Sequence, residues 1–223
     1  QSHAPPDQQP PVNFLAHSLI PSLAADPGHP DLIAGGFIGD FIKGPVPESL
    51  PERLAEGVRL HRRIDAYSNG QAEIRTSCAR FPKALRRFAP IFVDVIADHL
   101  LATRWAQFCD TPLNDFTSGV YQVIEQRSEL LTDRGLRFFE HMVAVDLLAG
   151  YAEREVMMRS LGSLTRRLGR PALDAPLAVV VEREFQGLQE DFLRYFPDLV
   201  SHARGWLDGR EASAEKAGLP AHR

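Results

Sequence analysis

Ala89-Pro90-Ile91-Phe92-Val93-Asp94-Val95-Ile96-Ala97-Asp98-His99-Leu100-Leu101 decides how the rest of the chain is read. Proline is tolerated in the first turn of a helix, where its missing N–H would have no partner anyway. The segment behind Pro90 therefore reads as one strong helix to about Phe108. Apolar residues crowd around Asp94 and Asp98, so this helix is expected to be buried on most sides. Two carboxylates inside such a helix need partners or a cation.

Working outward, the neighbouring segments are helical too. Asn13-Phe14-Leu15-Ala16-His17-Ser18-Leu19-Ile20 is apolar on one helical face. After the breakers Pro27, Gly28 and Pro30, Asp31 is expected to cap a helix through Leu32, Ile33, Phe37 and Ile38. Gly44, Pro45 and Pro47 end it, and a third helix runs from about Pro51 to Tyr67 before the Asn69-Gly70 turn. A shorter helix fills the stretch before the Phe81-Pro82 break. Later helices are predicted near 113–125, 133–144, 149–168 and 174–206, with Pro197 breaking or kinking the last. Phe192 and Trp206 are expected to anchor a core or an interface. No alternating strand pattern and no sustained heptad repeat occurs. The fold class is all-α: a single-domain irregular helical bundle spanning residues 12–209. Residues 1–11, with four prolines, read as a disordered leader, and 210–223 as a flexible tail.

The 223 residues are 44% hydrophobic and 24% charged, which suits one globular domain and excludes collagen, disulfide scaffolds and global disorder. No apolar run reaches the roughly 20 residues of a membrane span. The N-terminus lacks a basic region followed by an apolar stretch, so no secretory signal is read and the expected compartment is the cytoplasm. Cys78 and Cys109 fit no zinc spacing and read as two free thiols.

Of eight histidines, His3, His29 and His222 fall in loops or tails, and His141 and His202 lack acidic company. His17, His61 and His99 do not. Asp40 ends the second helix, where negative charge opposes the helix dipole and calls for Lys43 or a metal as compensation. His61 and Asp65 are four apart, as are Asp94 and Asp98, so each pair shares one helix face. Singly, such pairs are ordinary surface features. Together, on the first half of an all-helical chain, they suggest imidazole and carboxylate ligands for Mn²⁺, Fe²⁺ or Zn²⁺.

Asn13-Phe-Leu-Ala-His17, Gly39-Asp40-Phe-Ile-Lys43-Gly44, His61-Arg62-Arg63-Ile-Asp65 and Asp94-Val-Ile-Ala-Asp98-His99 followed by Trp105, in this order, resemble the acyl carrier protein phosphodiesterases. The resemblance is strong over 13–108 and looser beyond. That family looks like a divergent branch of the HD-domain phosphohydrolases. The resemblance implies metal-dependent hydrolysis, with Mn²⁺ first and Fe²⁺, Mg²⁺ or Zn²⁺ as alternatives, of the 4′-phosphopantetheine group from holo acyl carrier protein. By similarity, His17 is the first metal ligand, Asp40 the aspartate of the HD pair and Asp98 the distant aspartate. Gly39 stands where the histidine of that pair belongs. His61 is expected to supply the missing imidazole, with His99 as the competing candidate. Arg62 and Lys43 are placed to hold phosphate oxygens, while Asp65 or Asp94 orients a ligand histidine or takes the proton of the attacking water. The family motif normally opens the protein, so residues 1–11 are expected to be an upstream extension with Val12 the initiator.

One feature stands apart from the family. Between Ile74 and Val93 lie Arg75, Arg80, Lys83, Arg86 and Arg87 and no acidic residue, in a chain of net charge −4. This block reads as a docking patch for an acidic protein, and carrier proteins are acidic. Nucleic acid is not the expected partner, because few aromatics interleave the block. Two other readings compete: an HD-like phosphohydrolase acting on a nucleotide or small phosphodiester, and a non-catalytic helical module that binds an acidic partner.

Overall fold

The computed structural model describes residues 13–25 and 29–216, so the expected leader and residues 217–223 lie outside the described residues. Among the described residues there are eleven α-helices and no strand. No helix there is long and apolar enough to cross a membrane. α1 (Phe14–Ala24), α2 (Pro30–Ile38) and α3 (Glu52–Ser68) come first. α4 (Ala72–Ala79), the single turn α5 (Lys83–Arg86) and α6 (Ala89–Thr103) follow. α7 (Leu113–Glu125), α8 (Asp133–Ala144) and the short α9 (Leu147–Gly150) lead to α10 (Arg154–Arg167) and the long α11 (Asp174–Lys216).

The apolar segment that carries Asp94 and Asp98 is the central helix. In α6, Phe92, Val95, Ile96, Leu100 and Leu101 are buried, and α1, α4, α10 and α11 surround it. Each such side chain contributes about 1.5–3 kcal/mol on burial, which is why the helix tolerates two aspartates. The helix stops at Thr103, and a short 3₁₀ turn, Trp105–Gln107, completes the stretch expected to be helical to Phe108.

α2 and α3 meet backbone to backbone. A Cβ on Gly35 would lie 2.6 Å from the Cα of Gly57, so only glycine lets the two helices approach this far. That approach carries the end of α2, with Asp40, up to the face of α3 that bears His61.

Several local expectations change. Asp31 does not cap α2; the His29 imidazole accepts the Asp31 N–H at 3.2 Å, and the Asp31 carboxylate pairs with Arg127 instead. Pro197 does not end α11, because the burial of Tyr195, Phe196 and Leu199 around it outweighs a cost of about 3 kcal/mol. The helix also continues past Arg210 to Lys216, where a flexible tail was expected. The predicted 149–168 helix is two, α9 and α10. Phe192 is a core residue; Trp206 is half-buried under the Arg210 guanidinium, 5.0 Å from its ring. Both cysteines are free.

Candidate metal centre

The site begins with how α1 starts. Asn13, the natural cap by residue type, adopts a left-handed φ of 67° and makes no side-chain cap. Asp98 of α6 does that work from across the core. Its two oxygens accept the N–H groups of Leu15 at 3.0 Å and Ala16 at 2.9 Å. A carboxylate on the positive end of a helix is favourable, and these are charge-assisted bonds. The cap fixes α1 against α6 and so fixes His17, which follows directly. α2 clamps the other side of His17: a Cβ on Gly36 would lie 2.3 Å from the His17 carbonyl oxygen.

His17 and His61 face each other with ring centroids 4.1 Å apart. Both direct Nε2 at Asp65, His17 at 3.0 Å from Oδ1 and His61 at 3.3 Å from Oδ2. Asp40 completes the group, with Oδ1 3.8 Å from His61 Nε2 and Oδ2 buried without a hydrogen-bond partner. Ligand atoms of His17, His61 and Asp65 all lie within 4.8 Å of one another. Two donors bound to one ion at about 2.1 Å lie roughly 3–4 Å apart, so the donor set fits a divalent cation. His17, Asp40, His61 and Asp65 are the residues that would hold it. The unpartnered Asp40 oxygen is the atom that most needs it.

The cluster also reshapes its own charges. Burial would lower the His17 imidazole, but Asp65, helped by Asp40 and Asp94, raises it to about 9. Burial and the charge of His17 push His61 down to about 3. Asp65 resists its own burial because both histidines stabilise its anion, and it falls to about 2. Burial drives the other carboxyls up: Asp94 to about 8, with Asp65, Asp98 and Asp40 adding to it, and Asp40 and Asp98 each to about 7. Carboxyls that resist ionisation in a polar pocket are relieved by a cation.

The remaining candidates divide. Lys43 is exposed and close enough to Asp40 to stabilise its charge. Arg62 donates to the Ile42 carbonyl at 3.0 Å, pinning the segment that carries Asp40 and Lys43. Asp94 shares the field of the cluster. Asp98, expected as a ligand, caps α1, each of its oxygens accepting one backbone N–H. His99 is corrected as well: its Nδ1 donates to the Tyr151 carbonyl at 2.7 Å and its ring rests against Phe185 of α11. It is not among the cluster residues. His61 takes the other place because Gly39 makes room. A Cβ there would lie 2.8 Å from His61 Cγ and Cδ2.

Arg134 was not singled out by the sequence. It reaches Asp40 electrostatically from α8, which the packing of the Phe138 ring against Phe41, centroids 6.2 Å apart, holds beside the end of α2. No spacing signal could have found it, because the link is made by tertiary packing alone. In the basic block, Arg80 is corrected from docking to structural. It binds Asp191 through Nε at 2.9 Å and Nη2 at 3.3 Å, joined by Ser77 Oγ at 2.9 Å, and ties α4 to α11. Arg75, Lys83, Arg86 and Arg87 are exposed.

The described helices gather two imidazoles and several carboxylates at one buried point, the nitrogen and oxygen donor types that a divalent cation takes. A family model described as Acyl carrier protein phosphodiesterase matches residues 12–199. Proteins called acyl carrier protein phosphodiesterase from Escherichia coli O6:H1, O139:H28 and strain K12 / DH10B are each 30% identical over 198 residues, covering 86% of this chain and 97% of theirs. The chain belongs to the acyl carrier protein phosphodiesterase family. No solved structure matches it.

Proposed function

We propose that this chain hydrolyses the phosphodiester between a serine of holo acyl carrier protein and 4′-phosphopantetheine, releasing apo carrier protein. The observation that carries the reading is the convergence of His17 and His61 Nε2 on Asp65, beside the unpartnered oxygen of Asp40, in a member of this family. A divalent ion held there, Mn²⁺ by preference, would activate water and neutralise phosphoryl oxygens. Asp65 bridges the two histidines and sets their orientation. Lys43 and Arg134, both exposed near Asp40, meet the non-bridging phosphate oxygens. Asp94, which burial and its acidic neighbours make harder to ionise than an ordinary carboxyl, is the group in this account that gives a proton to the serine oxygen as the phosphorus–oxygen bond breaks.

Kinship with the HD-domain hydrolases is part of this reading. His17 and Asp40 fall in the order of that pattern, and the His61 ring fills the space where a side chain at Gly39 would stand. The carrier protein docks, in this account, on exposed Arg75, Lys83, Arg86 and Arg87, and the reaction belongs in the cytoplasm.

The test is one assay: purified chain with holo carrier protein and Mn²⁺, with and without chelator, the products weighed by mass spectrometry. Apo carrier protein and 4′-phosphopantetheine are expected only without chelator. Asp65→Ala should abolish release while carrier-protein binding survives. Release that persists in chelator refutes the metal reading, and intact holo protein throughout refutes the activity.

A further inference from the structure

A groove of about 260 Å³ lies between the C-terminal end of α3, α4 and the N-terminal end of α6, with Ile74, Cys78, Ala79 and Pro90 as its apolar walls. Asn69, also in its lining, is four residues after Asp65, and Pro90 is four before Asp94. Each therefore stands about one helical turn, roughly 6 Å of rise over four residues, from Asp65 or Asp94 on the same helix face. The Cys78 thiol, pushed up to about 11 by burial and by the Asp94 charge, shows that wall and cluster share one field. The groove thus lies beside the end of the metal centre that Asp65 and Asp94 form, about one helical turn from each.

We propose that this groove holds the pantetheine arm of the substrate, the extended, uncharged amide chain that follows the phosphate. The proposal rests on the phosphodiesterase reading and adds the subsite for the released group. A volume of about 260 Å³ is far less than a carrier-protein helix, about 10–12 Å across with its side chains, would fill, and suits one extended chain. Its walls suit the methylene and methyl groups of the arm. The polar rim suits its amides. Asn69 donates through Nδ2 to the Asp65 carbonyl at 2.9 Å, which leaves Oδ1 to accept an amide N–H. Arg75 is fixed at the rim by the Gly70 carbonyl and Arg86 by those of Ala79 and Phe81, and their other N–H groups meet amide carbonyls.

Ala79 is exposed, so Ala79→Trp fills the groove without disturbing the core. Thr76→Trp, an exposed position on α4 outside the groove lining, is the control. Calorimetry on Mn²⁺-loaded protein measures the affinity for 4′-phosphopantetheine and for inorganic phosphate, which lacks the arm. In the Ala79→Trp variant, 4′-phosphopantetheine is expected to bind at least tenfold more weakly and kcat/KM for holo carrier protein to fall at least tenfold. Phosphate affinity should stay unchanged, and Thr76→Trp should match wild type throughout. Unchanged 4′-phosphopantetheine affinity in Ala79→Trp overturns the subsite, as does an equal loss of phosphate affinity. Wild-type protein that leaves holo carrier protein intact defeats the phosphodiesterase reading itself, a result seen before any variant is made.

Discussion

Gly39→Ala sets two physical effects against each other. Gly39 has helical backbone angles, φ −52° and ψ −36°, so propensity alone favours alanine by about 0.5–1 kcal/mol. The added Cβ, however, would stand 2.8 Å from both Cγ and Cδ2 of His61. Comfortable carbon contacts begin near 3.5 Å, so the ring must retreat by about 0.7 Å. His61 is buried between α2 and α3 and has no slack. Overpacking of this kind costs about 1–3 kcal/mol. The net loss of about 1–2 kcal/mol lowers the melting temperature by about 2–8 °C for a domain of this size. The larger effect is on function, because the retreat takes Nε2 away from Asp65, now 3.3 Å distant. A misplacement approaching 1 Å costs on the order of 10²-fold in rate, so kcat/KM should fall about 10–100-fold and Mn²⁺ should bind more weakly. Thermal melts with and without Mn²⁺, Mn²⁺ titration and apo-carrier release measure all three. A variant that melts at or above the wild-type temperature and turns over at the wild-type rate would refute the idea that His61 occupies the space left by Gly39.

Other perturbations separate capping, packing and ligation. Asp98→Ala removes two charge-assisted bonds from the start of α1 and should cost about 2–4 kcal/mol in chelator as well as in Mn²⁺, whereas a pure ligand would matter only with the ion present. Arg80→Ala leaves the buried Asp191 with only Ser77 and the exposed Arg194, 3.9 Å away, and should lower stability by about 3 kcal/mol while KM for the carrier protein stays constant; a raised KM at unchanged stability would return Arg80 to the docking surface. Charge reversal at Lys83 and Arg87 together should raise KM more than it lowers kcat, increasingly so at low salt, and an unaltered KM would remove the docking role. In chelator, stability should fall between pH 6.5 and 9. There Asp94, raised to about 8, and His17, raised to about 9, hold protons that the unfolded chain has released, so the folded state loses ground as pH rises through those values. Melting temperatures across that range, flat rather than falling, would contradict the assignment.

The elements that the sequence made legible are those whose cause is local. Pro90 and the apolar company of Asp94 and Asp98 announced α6, and the four-residue spacing of His61 and Asp65 placed both on one face of α3. What stayed hidden was settled by contacts between distant segments. Asp98 was expected to have a partner because a buried carboxylate needs one. One partner is the N-terminus of α1, which no spacing rule connects to α6. Arg80 looked like docking charge because its local block has no acid, yet its acid is Asp191 on α11. Pro197 looked like a break because propensity ignores the packing on either side of it.

The centre holds more negative charge than its own residues can neutralise, and the surplus is unevenly placed. Asp65 is satisfied by two imidazoles and Asp98 by two backbone N–H groups, so both carboxylates serve the fold without an ion. Asp40 is not: one oxygen stands 3.8 Å from His61 and the other has no partner. Adding a carboxylate and subtracting its neutraliser destabilises a core, and selection for stability alone would replace Asp40 with an apolar residue. Its placement beside two convergent imidazoles is intelligible if a cation completes it. Asp40→Asn therefore divides the roles cleanly: in chelator it should match or exceed wild-type stability, because a buried anion is gone. In Mn²⁺ it should lose the stabilisation that the ion confers on wild type, about 2.7 kcal/mol at a hundredfold excess over Kd. A variant destabilised equally in both conditions would mean that Asp40 belongs to the fold and not to the ion.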